Sequence, residues 1–362
     1  GLLGLIHAIA AIVWLRMDNR FPVGETAVQL TTALGVADAL GRPSLDVLSR
    51  VAAASAGQPP LPYMATAPLI WLFGRGPDPA TLINLAWLAL LVAGVYGITR
   101  RLFPIPHSAD ANHPRRTGQS PIHWPALAAA ALVSLYPLVI AYTRIYDPAL
   151  ATAGLAALAI WLLVESDGLQ RRAYAAGFGL AVGAGLLASA VFWAVVLGPA
   201  LIVAAQALRT PRPARGSRRS PSRNALERFG RRLRLAPAHV NLLLALLLAA
   251  LALPFYLLRP DAPGLPTFPQ VGNLLLDLSQ WDDVAGGLLL LALLLGAGYG
   301  LWQVIRPRRD GARLAYGLLL AWLGLGLVLL ALLGDGSASQ WMPLLPAAAI
   351  LSVAWLSPAE LP

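Results

Sequence analysis

The stretch YTRIYDPALATAGLAALAIWLL (142–163) decides the fold class, because its uncharged run after Asp147 is long enough for a membrane helix. An arginine and an aspartate stand directly before this run. Apolar runs of about 16 to 22 residues recur along the chain, close to the length that a helix needs to cross a bilayer. With 57% hydrophobic and only 12% charged residues, the chain has too little polar surface for a soluble globule of 362 residues. We therefore predict an all-α polytopic membrane protein, since backbone in lipid must satisfy its own hydrogen bonds.

The positions of the apolar runs predict about ten spanning helices. The predicted spans are 1–16, 80–99, 124–143, 148–165, 174–188, 190–207, 240–258, 284–305, 314–333 and 342–357. Every basic residue is an arginine, and most of the 27 arginines lie in alternate loops, which are 100–123, 166–172, 208–239 and 306–313. The positive-inside rule makes these loops cytoplasmic, so the opposite, acid-rich loops are predicted to be external.

The segment PLPYMATAPLIWLFG (60–74) is apolar but short and rich in proline. If this segment crossed the membrane, the arginine-rich loops that follow would lie outside the cell, against the positive-inside rule. We therefore predict a helix on the outer membrane surface, with Tyr63 and Trp71 at headgroup level. The first external loop, 17–79, then becomes the largest. The helical periodicity of ETAVQLTTALGVADALG (25–41) predicts a second surface helix within it.

The cytoplasmic segment 208–239 is dense in arginine, proline and serine. Such a segment can indicate nucleic-acid binding, but between two spans it is predicted to be a disordered linker that contacts anionic lipid headgroups. No nucleic-acid partner is expected. The sequence starts within an apolar run and stops soon after the last span, which suggests an incomplete chain. Residues 1–362 are predicted to form a single transmembrane domain, with no C-terminal soluble domain among them. The absence of cysteine excludes disulfides and thiolate metal sites.

Two places put an acid at the external end of a predicted helix. Arg144 and Asp147 stand at the turn between two spans, and ionisable residues there are candidates for a functional site. The alternative for Asp147 is ordinary capping of a helix N-terminus. Asp18 and Glu25 follow the first span, where the alternative is a solvated loop acid.

The remaining external acids do not predict a metal site. Asp277, Asp282 and Asp283 precede a predicted helix, where carboxylates interact favourably with the helix dipole. The five histidines are scattered, so no transition-metal cluster is visible. No cofactor is expected; a divalent cation is compatible with the acids but is not indicated.

Several stretches, taken in order, resemble the GT-C superfamily of membrane glycosyltransferases, in particular the protein O-mannosyltransferase and aminoarabinose (lipid A) transferase type. An Asp-Glu motif of that family is similar to Gly24-Glu25, and its Lys-Pro-Pro-Leu-Tyr-Tyr segment is similar to QPPLPYM, from Gln58. TRIYDPALATAGLAALAIWLL resembles the family's Ser-Arg…Asp helix junction. GLAVGAGLLASAVFWAVVLGPAL resembles a span with Thr-Lys-Gly, here Ala188-Ser189-Ala190, and QWMPLLPAAAIL resembles a late Pro-Leu-Leu-Pro helix.

This resemblance implies a protein of the bacterial plasma membrane with an extracytoplasmic site. It implies a polyprenyl-phosphate sugar donor and a lipid, glycan or protein acceptor, with membrane lipids around the chain. An external carboxylate would act as base, for which Glu25 is the first candidate and Asp18 the second, and Asp147 would orient the base or the acceptor.

Cationic groups of the family hold the donor phosphate as it leaves. Arg144 is the candidate for that role here, because its guanidinium suits a bidentate contact. Arg20 or Arg75 could supply the charge of the family's two lysines, which are Gln58 and Ser189 in this chain. Gln58 and Tyr63 are the further candidates for contact with the substrate.

Three functions fit these features. The first is a glycosyltransferase that uses a lipid-linked sugar. The second is a homologue with the same fold that binds lipid-linked sugar or scaffolds an envelope complex without catalysis, since Gly24, Gln58 and Ser189 are uncharged. The third is a transporter or flippase, which would typically have repeated halves and charges at mid-membrane depth.

Overall fold

The computed structural model describes residues 2–18, 22–42, 44–104, 123–209, 237–257, 284, 286–306, 310–333 and 337–354. Within these ranges every regular element is helical, which confirms the predicted all-α class. The α-helices are α1 (Leu2–Met17), α2 (Gly24–Leu40), α3 (Val47–Ala54), α4 (Leu61–Phe73), α5 (Pro77–Leu102), α6 (Trp124–Leu135), α7 (Pro137–Tyr142), α8 (Ala149–Glu165), α9 (Arg172–Leu186), α10 (Phe192–Arg209), α11 (Pro237–Ala249), α12 (Leu253–Leu257), α13 (Gly287–Ile305), α14 (Asp310–Leu333) and α15 (Leu345–Ala354). Short 3₁₀ segments cover Ala250–Ala252 and Ala338–Leu344.

Four helices in the described ranges are long enough and apolar enough to cross a membrane. They are Pro77–Leu102, Pro237–Leu257, Gly287–Ile305 and Gly311–Leu333. Apolar helices of 10–17 residues, such as α1 and α8, occupy other predicted spans. The chain therefore has the apolar helices of an integral membrane protein, whereas the count of ten spans is not confirmed.

The predicted span 124–143 is not one continuous helix. It divides into α6 and α7 at Tyr136, whose backbone is extended with φ −57° and ψ 133°. Pro137 follows, and the ring of a proline clashes with a helical conformation of the residue before it. The predicted span 342–357 differs in a similar way, because it starts within a 3₁₀ segment that contains Pro343, and its α-helix begins only at Leu345.

Close helix packing surrounds a central helix. Every residue of α15 is buried. The helices α5 and α8 approach one another closely at small residues: a Cβ added to Gly94 would lie 2.7 Å from the Cβ of Ala157. One added to Gly154 would lie 2.9 Å from the carbonyl oxygen of Trp87. In membrane bundles, small residues at helix interfaces let the backbones of two helices approach closely.

The predicted loop 17–79 contains three helices, α2, α3 and α4, whereas the sequence predicted two. The two predicted segments are helical, and α3 is the additional element, with Val51 buried on its inner face. Contacts at both ends show that α2 and α4 run side by side in the same direction: Tyr63 bonds to Gln29 near their starts, and Arg75 bonds to Asp38 near their ends.

The bundle has two chemically different ends. Near the start of α5, Asn84 bonds to the turn that precedes α8. Near the end of α5, Arg101 pairs with Glu165 at the end of α8. These two positions on α5 are about 26 Å apart at the rise of an α-helix.

Most of the basic segment 208–239 and the acids Asp277, Asp282 and Asp283 lie outside the described residues, so the predictions made for them stay predictions.

Candidate functional site

Two buried tyrosines join the loop helices to the turn between α7 and α8. The hydroxyl of Tyr63 in α4 donates a hydrogen bond to Oε1 of Gln29 in α2. The hydroxyl of Tyr146 lies 3.1 Å from Oγ1 of Thr66 in α4, and the two tyrosine rings have centroids 6.5 Å apart. We call Tyr63, Tyr146, Gln29 and Thr66 the tyrosine cluster; it fixes α2 and α4 against the start of α8.

The turn between α7 and α8 is held by side chains on both sides. The Nδ2 group of Asn84 in α5 donates to the carbonyl oxygens of Tyr142, at 2.9 Å, and Ile145, at 2.7 Å. One carboxylate oxygen of Asp147 accepts the N–H of Ala149 at 2.7 Å, so the carboxylate caps the first turn of α8. The position of Asp147 is therefore well fixed.

Arg144 brings the end of α1 to the same turn. Its guanidinium carbon lies 4.6 Å from the ring centroid of Trp14, which is the geometry of a cation–π contact. Asp18 follows one helical turn later, where its N–H donates to the carbonyl oxygen of Trp14 at 2.8 Å. Both Arg144 and Asp18 are half-buried. The arginine and one predicted acid of the first external loop thus belong to one neighbourhood.

The pKa of Tyr63 depends on burial and on two other predicted acids, Asp147 and Glu25. Burial raises the pKa of its phenol, and Tyr146, Asp147 and Glu25 raise this pKa further through their negative charge. Asp147 and Glu25 therefore act on the same phenol from different helices. Tyr63 keeps its proton at neutral pH and remains a donor to Gln29.

Glu25 differs from Asp147 in exposure. It lies in the first turn of α2, where the helix dipole favours a carboxylate, and it is exposed. Gly24 precedes it with a φ of +59°, in the left-handed region that glycine adopts most readily. An accessible acid whose charge acts on the tyrosine cluster suits a base that must reach a substrate.

Two of the predicted substrate contacts are not available to a substrate beside Glu25: Arg75 lies away from this neighbourhood, and Tyr63 is buried within it. Both guanidinium nitrogens of Arg75 pair with the carboxylate of Asp38, at 2.7 and 2.8 Å. Asp38 is about 20 Å along α2 from Glu25 at the rise of an α-helix. Tyr63 is 0% exposed, so its side chain offers no surface to a substrate or to lipid headgroups in this structure. Arg20 lies outside the described residues.

The segments that carry the two positions at which the resembling family has lysine are joined by a backbone hydrogen bond. Gln58 is exposed at the turn before α4, and the N–H of Leu61 donates to the carbonyl oxygen of Leu187 at 2.9 Å. Ser189 is two residues beyond Leu187. The sequence gives no charge at either position, so any cation that serves a phosphate here comes from another part of the chain.

Sequence reasoning missed Gln29, Asn84 and Trp14. The sequence held a signal for Asn84, an amide within the apolar run of the predicted span 80–99, whereas Gln29 stands in a helix with several other polar residues. No group of three histidines, aspartates or glutamates in the described ranges is close enough to hold a metal ion.

Comparison with known proteins identifies the fold. No protein-family profile and no curated protein sequence matches the chain. Solved structures do match, among them ArnT from Cupriavidus metallidurans bound to undecaprenyl phosphate, with a TM-score of 0.60 over 98% of this chain, and the same protein in the apo state, with a TM-score of 0.61 over 99%. The sequence identity is 17% in both cases, and the chain spans 60% of the length of each structure.

A match over nearly the whole chain agrees with the resemblance carried by the sequence motifs. ArnT is an aminoarabinose lipid A transferase and a GT-C enzyme. The chain therefore has the fold of these two ArnT structures.

Proposed function

We propose that the protein is a membrane glycosyltransferase that moves a sugar from a polyprenyl-phosphate donor to a lipid, glycan or protein acceptor. One observation carries the proposal: Arg144 and Asp147, in the turn before α8, meet the end of α1 through Trp14, and the charges of Asp147 and of Glu25 in α2 both act on Tyr63 of the tyrosine cluster. The fold supports it, because a structure with this fold holds undecaprenyl phosphate.

The chemistry needs a base, a fixed acceptor and a cation for the leaving group. The acceptor oxygen attacks the anomeric carbon, and the bond from that carbon to the phosphate oxygen breaks. Glu25 takes the proton of the acceptor, while the polyprenyl phosphate leaves with the electron pair and its charge is met by Arg144. Asp147 orients the acceptor or the base, and Asp18 is the second candidate for the base.

The contact between Arg144 and Trp14 suits a phosphate ligand. A cation–π contact orients the guanidinium without neutralising it, so its N–H groups keep their charge for a bidentate contact with phosphate oxygens. No cofactor is required in this mechanism. The site belongs to the extracytoplasmic face of a bacterial plasma membrane in this proposal, which follows from the arginine distribution and the family resemblance.

A second candidate keeps the same fold without catalysis. It is favoured by Gly24, Gln58 and Ser189, which are uncharged where the resembling family has an acid and two lysines. Such a protein would bind a polyprenyl phosphate, or scaffold an envelope complex, and would leave the donor intact.

The test is transfer of radiolabelled sugar from a mixed polyprenyl-phosphate-sugar pool by membranes that contain the protein. We expect donor consumption by wild type and losses of at least about tenfold for Asp147→Asn and for Arg144→Gln. Asparagine also caps helices well, so Asp147→Asn keeps the turn intact. Arg75→Gln is the matched control, because it makes the same substitution at an arginine that pairs with Asp38, about 20 Å along α2 from Glu25, and it should leave the rate unchanged.

Two other outcomes have distinct meanings. Donor consumption that is equal in wild type, Asp147→Asn and Arg144→Gln would contradict the assignment of the site. If wild type consumes no donor but binds polyprenyl phosphate, and Arg144→Gln weakens that binding, the second candidate replaces the first.

A further inference from the structure

A cavity of about 1170 Å³ lies between α1, α5, α6 and α8, towards the end of the bundle that carries Arg101 and Glu165. One face of α5 forms its wall, with Leu85, Ala89, Ala93, Tyr96 and Arg100 spaced by three or four residues. From the first to the last of these residues the wall is about 22 Å long at the rise of an α-helix. This elongated shape suits a hydrocarbon chain better than a compact polar molecule.

The walls are apolar and leave space because their residues are small. Ala89 and Ala93 line the cavity and are exposed, as expected for positions where the neighbouring helix does not close the gap. Ile6 of α1 and Leu127 of α6 form other parts of the wall. A chain of methylene groups would find apolar surface on several sides.

One end of the cavity carries an uncompensated positive charge. Arg101 lies 4.0 Å from Glu165 and 3.5 Å from Asp167, and Arg171 lies 3.8 Å from Glu165, so these two arginines and two acids balance. Arg100 is exposed at the cavity, and no described carboxylate lies within 4.0 Å of it. An anion at this end would have a free guanidinium to bind.

Two buried nitrogens on the cavity wall also lack partners. Neither Nε1 of Trp161 nor Nε2 of His7 has a hydrogen-bond partner among the described residues, and both atoms are inaccessible to solvent. Buried polar groups are normally paired, and the indole N–H can only donate. Since neither nitrogen is accessible, the polar anchor that the cavity offers to a ligand is Arg100.

We propose that this cavity binds one anionic phospholipid from the leaflet on the arginine-rich side. An acyl chain would lie along α5 over Ala89 and Ala93, and the phosphate would contact Arg100. This site is separate from the tyrosine cluster and does not depend on sugar transfer.

The test titrates phosphatidylglycerol, or phosphatidylcholine with the same acyl chains, into the full chain in detergent micelles. Binding is measured by native mass spectrometry and by the rise in thermal unfolding temperature that a ligand of the folded state produces. Wild type should bind phosphatidylglycerol more tightly than phosphatidylcholine. Arg100→Gln should weaken phosphatidylglycerol binding about tenfold, because it removes a charge-assisted contact. Arg306→Gln, which removes an exposed arginine from the same side of the bundle, should bind as wild type does.

A second pair of variants tests the apolar part of the site. Ala93→Phe should abolish binding by filling the cavity, whereas Ala86→Phe places the same ring on an exposed position of α5 outside the cavity and should not. Equal affinity for the two phospholipids, or unchanged binding by Arg100→Gln, would overturn the proposal. So would competition in which undecaprenyl phosphate displaces phosphatidylglycerol at lower concentration, because the cavity would then be a polyprenyl-phosphate site.

Discussion

Replacing Glu25 by glutamine is expected to lower the initial rate of sugar transfer about 10²- to 10⁴-fold, the range that a general base contributes. Glutamine keeps the size of the side chain and its position in the first turn of α2, but it cannot take a proton from the acceptor. The binding of the donor should change little, because the proposed phosphate contact is made by Arg144. The measurement is the initial rate and the donor KM of both proteins in the same membrane preparation.

Asp78→Asn is the matched control for this substitution. Asp78 is also an exposed acid in the first turn of a helix, at the start of α5. Its removal should leave the rate within about twofold, since a solvated surface charge contributes little. A wild-type rate for Glu25→Gln would exclude Glu25 as the base and leave Asp18 as the candidate.

Gly296→Ala is expected to lower the free energy of unfolding by about 3 kcal/mol, at the upper end of the usual cost of overpacking. A Cβ on Gly296 of α13 would lie 2.1 Å from the carbonyl oxygen of Leu351 and 3.0 Å from the amide nitrogen of Ser352. Both atoms belong to the backbone of the buried helix α15, so they cannot move aside as a side chain would. The measurement is denaturant unfolding of the purified protein in mixed micelles.

Gly298→Ala is the control, because it changes the same residue type two positions further along the same helix. A Cβ on Gly298 has no atom within 4 Å, so this substitution should gain the small helix-propensity advantage of alanine. Equal stability of the two variants would contradict the close approach of α13 and α15.

Hydropathy and charge predicted much of the fold because both act locally along the chain. The apolar run after Asp147 became α8, and the segments 25–41 and 60–74 became α2 and α4. The break at Tyr136 was missed although Pro137 disfavours a helical conformation of the residue before it. The apolar run continues across the break, and hydropathy alone contains no information on backbone geometry. The helix α3 was missed because it has only 8 residues.

The candidate site was predicted only in part, since its assembly depends on contacts between distant segments. The spacing around Asp147 pointed to Arg144 as a neighbour, but nothing in the sequence indicated that Trp14 would stack on that arginine. In the sequence, Arg75 was an equally good candidate for contact with the donor phosphate. In the structure, the parallel arrangement of α2 and α4 pairs its guanidinium with the carboxylate of Asp38. Tyr63 fits the headgroup region by type, whereas the fold buries it against Gln29.

The most direct test of the proposed transfer uses the purified protein in liposomes, with a single radiolabelled polyprenyl-phosphate sugar as donor and a membrane extract as acceptor. The measurement compares the amount of free polyprenyl phosphate with the amount of sugar transferred to the acceptor. The account predicts that free polyprenyl phosphate appears in the same amount as sugar transferred to acceptor, and that both fall together in Glu25→Gln. Donor that stays intact with every sugar tested, while polyprenyl phosphate still binds, would contradict catalysis and identify the protein as a binding homologue.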